Sequence, residues 1–202
     1  MDKGRNFNHP GKGASIKVHP IRHVKDITAI KTLLECQPRN LCLFTMGINT
    51  AYRAGELLSL TVGQVSDLKI RDRLEIKQDK NQKYRAITLN KTTVDAVQNW
   101  LIVHPLYDRP AAPLFISQRG RQSLTVATVN HFVKRWCKAI GLTENYGSHS
   151  LRKTWGYHQR IHHDTSVALL MRAFGHDKEA QTLEYLCIQS DEIQALYMGM
   201  EL

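Results

Sequence analysis

Acidic residues are scarce in this chain. Its 202 residues include 18 aspartates and glutamates against 28 lysines and arginines, a formal net charge of +10. So few anions favour a polyanionic partner, and with no basic amphipathic helix standing out, nucleic acid fits better than a membrane surface. Long apolar runs are missing too. Residues 1–17 are polar and lack a signal-peptide core, and no later stretch is long enough to span a bilayer. A cytoplasmic protein without a membrane partner is expected. Cysteine is sparse, and none of Cys36, Cys42, Cys137 and Cys187 forms a Cys-x-x-Cys pair, so buried thiols in a reducing compartment are expected. There is no internal repeat and no low-complexity segment. The length allows one sizeable core with a small appendage but not two full domains, and 42% hydrophobic residues indicate a folded chain.

What is present reads as a helical body with a β insertion. Residues 1–20 are rich in Gly, Asn, Lys and His, carry Pro10 and Pro20, and show no apolar periodicity. They predict a flexible basic arm over 1–23 ahead of a single domain over 24–202. Asp26 is placed to cap a helix whose Ile27, Ile30, Leu33 and Leu34 recur at helical spacing, and Pro38 punctuates before a second helix over about 40–48. A short helix over 53–60 has an apolar side and a charged end at Arg53 and Glu56. Alternation over 74–76 and 85–89, around a turn at 79–82, predicts a β-hairpin with lysine at its tip. Further helices are expected over 92–103, 126–140, 151–161, 166–174 and 178–186, with a last short one after Asp191. A short strand is expected at 114–116, before a basic turn at 118–121. The fold class is α+β, mostly helical, with a small antiparallel hairpin.

Chemistry concentrates in a few positions. Tyr185 lies nine residues after His176, in a chain that also has Arg53, Lys80, His149 and Arg152. A phenol is a weak nucleophile near neutral pH, its ordinary pKa being about 10. Attack on a phosphate needs a proton acceptor and cations that stabilise developing charge. Arg53 and Glu56, three apart, taken alone describe a surface ion pair of small value, and His149 with Arg152 describes a solvated helix start. The conjunction is what carries weight. Two arginines can hold phosphate oxygens bidentately, a lysine can protonate a departing 5′ oxygen, and histidines can handle protons near neutral pH. Every role in a metal-free phosphoryl transfer is filled, with no cofactor.

On these residues the chain resembles the tyrosine recombinases, or phage-type integrases. Arg53 with Ala54-Gly55-Glu56-Leu57-Leu58 resembles the family's first arginine box, and Lys80 its hairpin lysine. His149-Ser150-Leu151-Arg152 matches its His-x-x-Arg box, and Gly175-His176 followed by Tyr185 matches its nucleophile segment. The resemblance implies a DNA breaking-rejoining enzyme fold and a site-specific recombinase working through a 3′-phosphotyrosyl intermediate, without metal or ATP. Tyr185 would be the nucleophile, Arg53 and Arg152 the phosphate clamp, Lys80 the general acid, and His149 a helper in proton transfer. His176 would hydrogen-bond the phosphate and Glu56 would orient the site. Lys77, Lys83, Arg85, Arg119, Arg121 and Lys153 are expected DNA contacts. Partners would be double-stranded DNA carrying a recombination site and further copies of the chain: a homo-tetramer on paired sites, monomer or dimer when free. Residues 188–202 are a candidate exchanged segment, and a DNA-bending accessory protein is a candidate further partner.

Some positions depart from the family pattern. Ala51 stands where glycine is frequent, Lys153 where histidine is frequent, and Asp177 where serine is common. The segment before Val24 is short for the separate clamp domain of many members, which suggests a minimal, single-domain member. A DNA-inverting switch recombinase, a topoisomerase-like relaxing enzyme and an inactive site-specific DNA-binding regulator remain open as alternatives. His158 and His162, four apart beside His163 and Asp164, have a spacing suited to zinc but lack a convincing further ligand. Trp100, Trp136 and Trp155 read as core residues.

Overall fold

The computed structural model describes residues 17–77, 84–118, 120–188, 193–194 and 197–199. In chain order the elements are α1 (Val24–Leu33), α2 (Pro38–Gly47), α3 (Ala54–Leu58), α4 (Val62–Val65), β1 (Arg73–Lys77), β2 (Tyr84–Thr88), α5 (Lys91–Leu101), α6 (Val126–Ala139), α7 (Ser148–His163), α8 (Val167–Phe174) and α9 (Glu179–Leu186). The α+β reading is borne out. Helix α2 is central, with Cys42, Leu43, Phe44 and Met46 fully buried, as expected of a helix that is apolar around most of its surface. It packs on α5 and meets α7 at Gly47, where a Cβ would lie 2.6 Å from Leu151 Cδ1.

The hairpin pairs Arg73 with Thr88 and Lys77 with Tyr84 in antiparallel register. Leu74 and Ile76 point into the core while Arg73 and Glu75 face solvent, the period of two that marks a half-buried strand. Tyr52 is buried, and its hydroxyl donates to the Leu74 carbonyl at 2.7 Å, fastening the hairpin to the segment that leads into α3.

Several boundaries differ from expectation for local reasons. Pro38 opens α2, since the first helical position has no use for an N–H. Asp26 lies in the first turn of α1 and does not cap it; His23 is the capping position. The unexpected α4 is set by Thr61 and Gln64, whose side-chain carbonyl accepts the Thr61 N–H at 2.9 Å. The expected strand at 114–116 is replaced by two isolated bridges, Thr61 with Pro113 and Ile116 with Ser123. The Leu114 carbonyl is taken instead by Trp100 Nε1 at 2.8 Å, and His104 Nε2 also lies 3.2 Å from the carbonyls of Pro113 and Leu114.

Helix α7 begins three residues before the expected start. Asn130 Oδ1 accepts the Ser148 N–H at 3.1 Å and Ser150 Oγ accepts the Gly147 N–H at 3.0 Å, supplying acceptors that a helix N-terminus lacks. The described part of the expected arm, residues 17–23, is packed on the body. Among its described residues, His19 N–H donates to Asn145 O at 2.9 Å, Ile21 is fully buried with its N–H on Thr154 Oγ1 at 2.8 Å, and Arg22 pairs with Glu144 at 3.1 Å. Residues 17–23 are thus a strap against α7 and the loop that leads into it. Cys42, Cys137 and Cys187 are buried as expected, but Cys36 is exposed, because it lies in the turn between α1 and α2.

Two apolar clusters divide the interior. The larger includes Trp100 and Trp136; the smaller groups Ala51, Leu170, Phe174 and Leu186, with Trp155 and Tyr185 packed against them. Helices α8 and α9 close the smaller cluster onto α7. Gly156 makes this approach possible, since a Cβ there would lie 2.3 Å from Phe174 Cζ.

Candidate active site

Helix α7 contributes three of the expected residues. His149 and Arg152, one turn apart, share a face, and Lys153 follows. Helix α9 brings Tyr185 to them: its hydroxyl lies 2.7 Å from His149 Nδ1. Lys153 Nζ sits 5.1 Å from the centre of the Tyr185 ring and the Arg152 guanidinium 5.8 Å from it, so the ring is held among cations. Burial raises the Tyr185 pKa, and Arg152 and Arg53 oppose the rise by favouring the phenolate. Burial lowers the His149 pKa, with Arg152, Arg53 and Lys153 adding to the effect, so its imidazole is neutral near pH 7. A neutral ring whose Nδ1 faces a phenol can accept the proton.

Arg152 is 1% exposed; its Nη2 donates to the Phe174 carbonyl and its guanidinium carbon lies 5.0 Å from the centre of the Phe174 ring. Among the described residues its Nε and Nη1 have no hydrogen-bond partner, and Nη1 lies 3.9 Å from a Glu56 oxygen. Desolvation, then Arg85 and Arg53, pull its pKa down to about 9. Such a cation with unused donors is suited to an incoming anion.

Glu56 organises the cations. Its carboxylate accepts the Arg53 backbone N–H at 2.5 Å and pairs with Arg53 Nη1 at 3.0 Å and Arg85 Nη1 at 3.2 Å. Arg53 lies at the start of α3 with its side chain 40% exposed, so it can still reach outward. Ala51, just before it, has φ 55°, a left-handed conformation that glycine adopts freely. His176 follows the left-handed Gly175 that ends α8; its Nδ1 lies 3.0 Å from Thr182 Oγ1 and its ring meets the Tyr185 ring at 4.8 Å. Burial, then Arg152, Arg53 and Arg85, lower its pKa to about 4.

Tyr185, Arg53, Glu56, His149, Arg152 and His176 are therefore brought together as the sequence spacing suggested. A family model for the phage integrase family matches residues 21–192. The chain belongs to the phage integrase family. It is 31% identical over 183 residues to the probable integrase/recombinase YoeC of Bacillus subtilis, covering 89% of this chain and 95% of that protein. It is 26% identical over 160 residues to the tyrosine recombinase XerC of Caldanaerobacter subterraneus subsp. tengcongensis, covering 77% of this chain but 43% of the relative. The crystal structure of XerA recombinase shares the fold with a TM-score of 0.75 at 19% identity, over 92% of this chain and 66% of that one. A post-cleavage complex of XerH with a difH substrate gives 0.73 at 22% identity, over 93% and 55%. The integrase fold thus accounts for the body of the chain, which spans about half the length of the XerC relative.

Other expected residues have different places. Lys80, Lys83 and Arg119 lie outside the described residues, as does most of the segment 188–202. Lys77 ends β1 and Arg121 is exposed in the basic turn. Arg85 and Lys153, expected as DNA contacts, are turned inward. Lys153 is buried, with Nζ 3.5 Å from Glu184 O and 3.4 Å from Cys187 Sγ at the end of α9. Thr182, which holds His176, was not anticipated; its place six residues after His176, on the buried side of α9, was the available signal. His158 donates towards Ile21 O at 3.0 Å and stacks on His162, and among the described residues no group of three or more His, Cys, Asp or Glu is arranged to hold a metal.

Proposed function

We propose that this protein is a site-specific DNA recombinase that cleaves and rejoins duplex DNA through Tyr185. The observation that carries the reading is the Tyr185 hydroxyl 2.7 Å from His149 Nδ1, beside a buried Arg152 with two nitrogens unused. A backbone phosphate enters against Arg152 and Arg53, whose guanidiniums take non-bridging oxygens. His149 accepts the phenol proton as the Tyr185 oxygen bonds to phosphorus. The bond from phosphorus to the 5′ oxygen breaks, Lys80 protonates that oxygen, and a 3′-phosphotyrosyl link and a free 5′ hydroxyl result. Thr182 donates to His176 Nδ1, which leaves Nε2–H to donate to the phosphate. The energy of the phosphodiester is retained in the tyrosyl ester, so a 5′ hydroxyl from a partner strand can reverse the step without ATP.

Double-stranded DNA is the partner, and the formal charge of +10 suits it. Assembly as a tetramer on paired sites, with exchange of residues 188–202, belongs to the same reading, as does a cytoplasmic location. Among the described residues no helix is long and apolar enough to cross a membrane. The test is covalent capture: nicked duplexes drawn from the DNA flanking the coding sequence should yield a protein–DNA adduct with the wild type. None should form with Tyr185→Phe, whose DNA affinity should stay within about twofold. Adduct formation by Tyr185→Phe would remove Tyr185 from this role.

A further inference from the structure

Arg85 lies on β2, yet its side chain is 11% exposed and runs beneath the site. It lies over the Tyr52 ring at 5.5 Å, and its guanidinium has three acceptors in two separate segments. Nη1 pairs with Glu56 of the arginine box at 3.2 Å. Nη2 donates to Ala51 O at 2.8 Å, just before that box, and to Ala173 O in the last turn of α8. Arg152 takes the neighbouring Phe174 carbonyl. Two guanidiniums thus share the C-terminal end of α8, where unsatisfied carbonyls and the helix dipole favour cations. A buried cation held by three acceptors is poorly placed to meet DNA and well placed to fix the elements around it.

We propose that Arg85 is a positioning residue for strand cleavage. It locks the hairpin, the arginine box and the α8 segment leading to His176 into one arrangement. It also neutralises Glu56, so that this carboxylate does not draw Arg53 and Arg152 away from the phosphate. The inference rests on the strand-cleavage reading for its catalytic consequence, while the lock itself is a property of the DNA-free protein.

The experiment compares wild type, Arg85→Met, Arg85→Lys, Glu56→Gln and the double variant Arg85→Met/Glu56→Gln in the full chain. Arg85→Met should slow adduct formation at least about tenfold, with DNA affinity and its salt dependence unchanged. The double variant should recover several-fold over Arg85→Met, because the carboxylate charge that Arg85 no longer shares is gone; loss of packing alone would give no such recovery. Amide hydrogen exchange without DNA should quicken together over residues 50–56 and 167–176 in Arg85→Met, while α5 and α6 keep their protection. Weaker DNA binding with a shallower salt slope would make Arg85 a DNA contact and overturn the proposal, as would an unrecovered double variant or unchanged exchange. Should Arg85→Met not fold, Arg85→Lys carries the test: it keeps the charge but cannot reach Glu56 and both carbonyls, so it should show the same faster exchange and slower cleavage. Absence of adduct with the wild type would overturn the strand-cleavage reading instead, and the exchange data would still decide the lock.

Discussion

Acid should destabilise this fold through His176. The ring is 6% exposed, bonded to Thr182, and surrounded by Arg152, Arg53 and Arg85, with Asp177 as a weaker opposing charge. Burial and then those cations depress its pKa from the ordinary 6.5 to about 4. Between these values the unfolded chain binds a proton that the folded chain refuses. Stability is therefore intact above about pH 6.5, declines as pH falls towards 4, and loses nothing further from this group below that. At about 1.4 kcal/mol per pH unit, the window amounts to about 3 kcal/mol, a large part of the ~5–15 kcal/mol that holds a typical domain together. Urea denaturation of wild type and His176→Gln from pH 7 to pH 4 isolates the effect, because other titrating groups are common to both. The difference in unfolding free energy should shift by about 3 kcal/mol in favour of the variant as pH falls. Parallel pH profiles would refute the argument and show that the ring is protonated without penalty.

Arg152→Lys should lower the single-turnover cleavage rate roughly a hundredfold with little change in DNA affinity, because an ammonium cannot hold Phe174 O and present a planar fork to the phosphate. Gly156→Ala should cost about 1–3 kcal/mol in thermal denaturation, since the new methyl would lie 2.3 Å from Phe174 Cζ. It should also slow cleavage, because Phe174 supports both Arg152 and His176. Lys80→Ala should fail on ordinary DNA yet cleave a substrate with sulfur in place of the bridging 5′ oxygen at nearly the wild-type rate, because that leaving group needs no proton. Rescue by Lys77→Ala or Lys83→Ala instead would move the general acid to that lysine.

Much of this site was legible because its residues come in short local boxes. His149 and Arg152 lie one helical turn apart, and Arg53 and Glu56 share the start of α3, so sequence spacing translates directly into shared faces. The alternation around β1 and β2 gave the hairpin for the same reason. What local pattern did not carry was direction. Arg85 and Lys153 read as cations free to meet DNA, and only the long-range approach of α8 and α9 shows them bonded to Ala173 O and Glu184 O. The strand expected at 114–116 failed similarly, as Trp100 of α5 and His104 just after it claimed the Leu114 carbonyl. The strap at 17–23 has no periodicity to read, and Ile21 is buried only because Thr154 and His158 of α7 hold its backbone.

The contact between Tyr185 and His149 is made within one continuous stretch of a single chain, from α7 through α8 to α9. On the proposed reading, each copy therefore carries its own nucleophile together with the imidazole and guanidinium that serve it. Two crippled copies cannot pool their parts: a mixture of Tyr185→Phe and Arg152→Lys chains on one DNA site should cleave no faster than the Arg152→Lys chains alone, however well the copies assemble.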